Sequence, residues 1–192
     1  MNKLEKAFEL FDSYNKQDPN TIIWDDTTYA SEYFYALKLH QWVKELAPNA
    51  SEALLLASRA QHIGRWTSPR TSYADGKAGY LQWRIDLAKF HAAKAAQLMK
   101  EAGYDDEVTG AVQHIMLKKD LRTDPEVQTI ENALCLVFLQ YQYEDFISKH
   151  DEKKITWILQ KSWAKMSQPG RDAALTITFS DKGKELIEKA IS

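Results

Sequence analysis

The chain has little turn punctuation. Seven glycines and five prolines among 192 residues are too few for an all-β protein, which needs such residues at many turns. The lone cysteine, Cys135, permits no internal disulfide and sits in the apolar run 134–138, where it reads as a small hydrophobe. That usage makes a reducing cytoplasm the expected location. No stretch approaches the about 18 consecutive apolar residues of a membrane-spanning helix. The first eight residues carry Glu5 and lack a long apolar run, so they do not read as a signal peptide. One-sided charge is also missing. A formal net charge of −2 argues against a general nucleic-acid binder, which is usually strongly basic. There is no phosphate-cradling glycine loop, paired-cysteine motif, His-Glu-x-x-His or serine elbow. Their absence removes P-loop enzymes, kinases, zinc ribbons and α/β-hydrolases.

What is present is helical. Hydrophobic residues make up 44% and charged residues 27%, ordinary for a globular chain long enough to bury one sizeable core. The apolar residues recur at 3.6 rather than 2. Leu4, Ala7, Phe8 and Phe11 mark a first helix that stops near Asp18-Pro19-Asn20. A second is expected over 31–46. A third follows a capping box read from Asn49 and Glu52 and runs to His62, ended by Gly64 and Pro69. A long helix is expected over 78–102, closed by Gly103. The next opens on acids 105–107, which favour the positive end of the helix dipole. Asp124-Pro125 starts another, extending to about Lys149. Asp151 opens a further helix that Gln168-Pro169-Gly170 breaks, and Ser180 caps a short final one. The stretch 175–179 alone resembles a strand and has no obvious partner. The expectation is an all-α, single compact multi-helix domain over 1–192, with a core over 1–166 and a C-terminal appendage over 167–192.

Two local sequences stand out. Arg59-Ala60-Gln61-His62 and Arg84 to His91 each place a histidine and an arginine on one helical face, three and seven residues apart. Such groups on an inward face are costly to desolvate without partners. Between Arg59 and Arg84 the chain carries Arg59, Arg65, Arg70, Lys77 and Arg84 against a single acid, Asp75. Lys118, Lys119 and Arg122 form a second basic cluster, and both are equally readable as solvated faces. His62 reads as a metal ligand or general base near an anion, or else as a satisfied core-edge histidine. His91 reads as a ligand with Arg84 binding an anion nearby, or as packed, with Arg84 paired to Asp86 or Glu131. Glu131 and Asn132 lie inside an apolar helix and need partners; Glu131 reads as a carboxylate ligand or an arginine partner. Trp66 and Trp83 read as core or pocket wall. His40 is expected at a helix interface, His150 at a helix end, and His114 on a polar face.

The stretches 18–20, 59–70, 79–84, 90–91, 118–120, 124–128 and 131–139 together resemble domain-of-unknown-function family 4202, a likeness spanning about residues 1–175. That resemblance implies no activity. Gln61-His62-Ile63-Gly64 is more distantly similar to the His-Asp-Ile-Gly-like sequence of the HD-domain superfamily of metal-dependent phosphohydrolases. The likeness implies an HD-domain-like fold, with His91 and His114 as later ligands and Glu131 or Asn132 in place of the last aspartate. Glu32 stands roughly where the first histidine would be. The departures are the Gln-His pair and the displaced final carboxylate.

From this the sequence implies a metal-dependent phosphohydrolase for a small phosphorylated or nucleotide substrate. His62, His91 and Glu131 are the catalytic and metal candidates, with a divalent metal ion as cofactor. Arg59, Arg65, Arg70, Arg84 and Lys119 are the candidates for binding an anionic, phosphate-containing ligand. The alternative is a module that binds a phospho-ligand or a protein without catalysis.

Overall fold

The structure is a computed structural model that describes residues 2–191. The described residues are all-α apart from one short hairpin. Helix α1 (Lys3–Asn15) opens on a capping box, with Asn2 accepting from the Glu5 amide at 2.8 Å and Glu5 accepting from the Asn2 amide at 2.9 Å. The hairpin β1 (Thr21–Trp24) and β2 (Thr27–Ala30) is antiparallel, pairing Thr21 with Ala30 and Trp24 with Thr27. Its turn residues Asp25 and Asp26 both have positive φ, 51° and 58°, as a two-residue primed turn requires. Trp24 leaves the hairpin to meet the rings of Phe34 and Tyr141.

Helices α2 (Ser31–Leu46) and α3 (Glu52–Ala60) pack together and on the later helix that begins at Pro125. The cap of α3 is Ser51, whose hydroxyl accepts from the Leu54 amide, so the expected box at Asn49 is displaced by two residues. Helix α4 (Gly76–Ala102) is the longest, about 40 Å at 1.5 Å per residue. It packs on α1 and on α5 (Asp106–Met116), and its buried residues all lie between Leu87 and Ala102. Helix α6 (Pro125–Tyr141) starts as expected on an Asp124 cap followed by proline. It ends earlier than expected, because the chain bends at Gln142 into a separate α7 (Tyr143–Lys149).

Around α6 the core closes. Phe11, Val43, Leu56, Ile63, Met99, Val112, Ile130 and Leu136 are buried together. At about 25 cal/mol per Å² of apolar surface, such burial is the main force holding the helices together. Helix α8 (Glu152–Lys165) follows, then α9 (Gln168–Ala174) and α10 (Asp181–Ile191). Gln168-Pro169-Gly170 starts α9 rather than merely breaking its predecessor. Helix α9 packs on α6 and α10 packs on α8. The strand-like stretch 175–179 is irregular. Ser180 caps α10 as expected, accepting from the Gly183 amide.

The seam between α6 and α9 depends on Asn132, which is buried. Its Oδ1 accepts from the Ser167 amide at 3.0 Å and its Nδ2 donates to the Ser167 hydroxyl at 2.8 Å. Gly170 lies against it so closely that a Cβ there would meet Asn132 Cγ at 2.6 Å. Gly170→Ala is therefore expected to push Asn132 off Ser167 and cost about 2 kcal/mol or more. Gly110→Ala, in α5 where a Cβ meets nothing within 4 Å, is expected to stabilise by about 0.5–1 kcal/mol. Denaturant unfolding of both variants checks the contrast.

Candidate functional site

The turn after α3 does the first positioning. Gly64 takes φ +70°, and a Cβ at that position would meet Phe90 at 2.8 Å and Tyr14 at 2.9 Å. Only glycine accepts both the conformation and the closeness. The turn presents the carbonyl of Ile63 to α4, where His91 Nδ1 donates to it at 2.7 Å. A carbonyl only accepts, so Nδ1 carries the proton and neutral His91 keeps an accepting Nε2. His91 is 4% exposed. The half-buried His62 ring stands 5.8 Å from it, centroid to centroid, tilted by 56°.

Both rings open on one cleft of about 560 Å³. Its walls come from the turn after α3, the outer half of α4, the end of α5, the middle of α6 and the end of α8. Four cations line it: Arg65, Arg84, Lys118 and Lys165. Glu131 is the one carboxylate of the lining. It is buried in α6 and ion-paired to Lys118 and, at 3.4 Å, to Lys165. Burial pushes its carboxyl up, but the two lysines outweigh this and hold it below the ordinary range. Lys118 adopts φ 54°, an uncommon left-handed conformation for a non-glycine residue. Cys135, one turn on, is pushed up to about 12 by burial and then by Glu131, so its thiol stays protonated and unreactive.

The imidazoles are neutral at physiological pH. Loss of water around the His62 ring holds its pKa well below the usual value, helped by Arg65, His91, Lys118 and Arg84. Burial lowers His91 to about 4 against the opposing hydrogen bond to Ile63, with Arg65 pushing it further down. Behind His62 lies a polar chamber of about 10 Å³ lined in part by Asn15, Glu32, Ser58 and Gln61. Burial raises Glu32 to about 7 against the pull of Arg65. Gln61 donates to the Met116 carbonyl at 3.0 Å, and its own oxygen is buried without a partner.

The expected residues divide. His62, His91, Glu131, Arg65 and Arg84 share the cleft. Arg59 does not: it makes a two-pronged pair with Asp12 at 2.7 Å on both arms and ties α3 to α1. Arg70 is turned to its own loop, donating to the carbonyls of Tyr73 and Ala74. Lys119 is exposed outside the lining; its neighbour Lys118 and the unforeseen Lys165 line the cleft instead. Arg84 is paired with neither Asp86, which accepts from Gln82, nor Glu131. It donates to the Tyr80 hydroxyl at 3.4 Å. His114 lies outside the lining and bonds Asp124 at 3.1 Å. His40 sits at the α2–α3 interface on Ser58.

Among the described residues no three His, Cys, Asp or Glu side chains come together as ligands for a metal ion. The donor set does not fit a divalent cation. Two neutral imidazoles lack a third ligand, the carboxylate is occupied by two ammonium groups, and guanidinium groups share the wall. His62, His91 and Glu131 share the cleft without forming such a three-ligand group among the described residues.

Residues 5–187 match the family model described as a domain of unknown function (DUF4202). The match covers most of the chain, so the chain belongs to that family. No curated protein and no solved structure matches it. No helix of the described residues is long and apolar enough to cross a membrane.

The buried rings make a pH prediction. His40 and His91 fall to about 4 in the folded protein, and His62 also falls. The unfolded chain then binds more protons below the ordinary value of 6.5, so stability declines on acidification from there toward about 4. Glu32 acts oppositely: raised from 4.5 to about 7, it contributes stability at low pH that is lost as pH rises through that window. Each proton corresponds to about 1.4 kcal/mol per pH unit. Glu32→Gln is expected to steepen the loss between pH 6.5 and 4.5, read as the pH dependence of the unfolding free energy.

Proposed function

We propose that this family member binds a small, phosphate-containing anion in the cleft and does so without a metal ion. The observation that carries the reading is Arg84. It is a guanidinium with no carboxylate partner among the described residues, in a cleft where one carboxylate faces four cations. Arginine offers a planar fork of donors that matches phosphate oxygens, and such charge-assisted bonds are the strong ones. Arg65 is half-exposed and only 4.0 Å from Glu32 at its closest, so it too retains capacity for an anion. Lys118 and Lys165 each have donor capacity beyond Glu131, since an ammonium carries three N–H groups. The neutral imidazoles can accept from a protonated phosphate oxygen, or become donors if an anion draws a proton onto them.

The likeness of Gln61-His62-Ile63-Gly64 to the HD superfamily lends weight to a phosphate-bearing ligand. Hydrolysis by metal-activated water does not follow from it here, because the cleft's side chains do not supply a cation's ligands. The non-catalytic reading therefore stands ahead of the phosphohydrolase one.

Inorganic phosphate is expected to raise the thermal midpoint by mass action. Arg84→Ala is expected to weaken phosphate binding about tenfold or more, the loss of one charge-assisted contact. Scanning calorimetry measures the first and titration calorimetry the second, and unchanged affinity in Arg84→Ala would overturn the reading. Sulfate, which does not titrate in this range, is expected to bind more tightly as pH falls through 6.5 toward 4, because an anion favours the protonated form of the lowered imidazoles. Release of phosphate from phosphomonoesters that requires added Mn²⁺ would overturn the non-catalytic assignment.

A further inference from the structure

Beyond its cationic floor the cleft has an apolar wall that the fold leaves uncovered. Tyr80, Leu81 and Ile85 of α4 are 43%, 49% and 49% exposed, and all three line it. They precede Leu87, the first buried residue of α4. Leu134 and Phe138 of α6 line the same space. Elsewhere the large exposed hydrophobics are scattered over the hairpin, α8 and residue 175. Single exposed apolar residues are ordinary, whereas a group of them inside one concave, charged site calls for an occupant.

The ring faces in this wall are already engaged. Arg65 stands 5.3 Å over Trp83, whose Nε1 donates to the Ser68 carbonyl. Tyr80 packs on Trp83 at 5.8 Å, with Arg84 at 6.0 Å from its ring. Trp83 is thus held between Arg65 and Tyr80, and aliphatic surface from Leu81 and Ile85 stands exposed beside them. Leu81 is ten positions before His91 on α4, about 15 Å along the axis. The wall thus runs from the buried histidine outward along one helix.

We infer that the ligand is an amphiphilic phosphate, its charged head on Arg65, Arg84 and Lys118 and an aliphatic chain lying along Leu81 and Ile85. This rests on the anion-binding reading above and names the class of ligand. The two features complement each other: the cations recognise the head, and burial of methylenes that would otherwise face water holds the tail.

The test titrates the full chain with inorganic phosphate, hexyl phosphate and AMP at neutral pH by calorimetry. Hexyl phosphate is expected to bind about tenfold or more tightly than inorganic phosphate, which corresponds to burying about two methylenes. Leu81→Asn and Ile85→Asn, both at exposed positions, are expected to remove most of that advantage and leave inorganic phosphate affinity unchanged. Phosphate binding without any hexyl advantage would overturn this inference and leave the anion site standing. Binding of none of the three probes would overturn both. AMP binding tighter than hexyl phosphate and insensitive to Leu81→Asn would mean a polar ligand and overturn the inference. So would a dimer that Leu81→Asn dissociates without changing hexyl phosphate affinity, since the wall would then be a contact between copies.

Discussion

A carboxylate buried in the middle of an apolar helix must be neutralised, and Glu131 imposes that requirement on α6. Left alone it would cost several kcal/mol of desolvation. Two lysines meet the demand, Lys118 from the turn after α5 and Lys165 from the end of α8. They come from two different segments, so the pairing ties both of them to α6. Lys118 reaches its place through a left-handed backbone conformation, a strain that the ion pair and the surrounding packing must offset. One negative charge thus gathers two positive ones. The surplus is the origin of the cleft's electrostatics.

The other wall adds to that surplus. Neutral His62 and His91 contribute no charge, and Arg65 and Arg84 contribute two positive charges. Like charges that share one cleft repel one another. The arrangement survives because its outer members remain wet: the side chains of Arg65 and Lys165 are 42% and 50% exposed. Water screens them until a ligand displaces it. An anion entering the cleft would relieve the repulsion directly, whereas a divalent cation would add to it.

Much of the scaffold is legible in the sequence, for reasons that are local. Asp105, Asp124-Pro125, Asp151 and Ser180 each mark a helix start that the structure keeps, because a cap is decided by neighbouring residues. The hairpin escapes that reading. Its turn is Asp25-Asp26 rather than an Asn-Gly or Asp-Gly pair, and its strands are four residues each, too short for alternation to show. The bend at Gln142 also escapes, since the apolar spacing continues into α7. In the cleft, His62 with His91 is legible because both stand in one unusual stretch beside arginines. Arg59 and Arg70 look the same in sequence, yet Asp12 lies 47 residues upstream of one and the loop's own carbonyls satisfy the other. Glu131 announces a need for a partner; that Lys118 and Lys165 answer it depends on tertiary packing alone.

The charge balance of the cleft depends on position 62. An aspartate at that position would contribute a negative charge to the cleft. His62 contributes none, and Arg65, Arg84, Lys118 and His91 all act to keep it uncharged. Gln61 before it is committed to the Met116 carbonyl, joining the end of α3 to the end of α5. With both positions so used, the remaining carboxylate is Glu131, and two ammonium groups already hold it. Four cations around one carboxylate already paired to two of them give the cleft a positive potential.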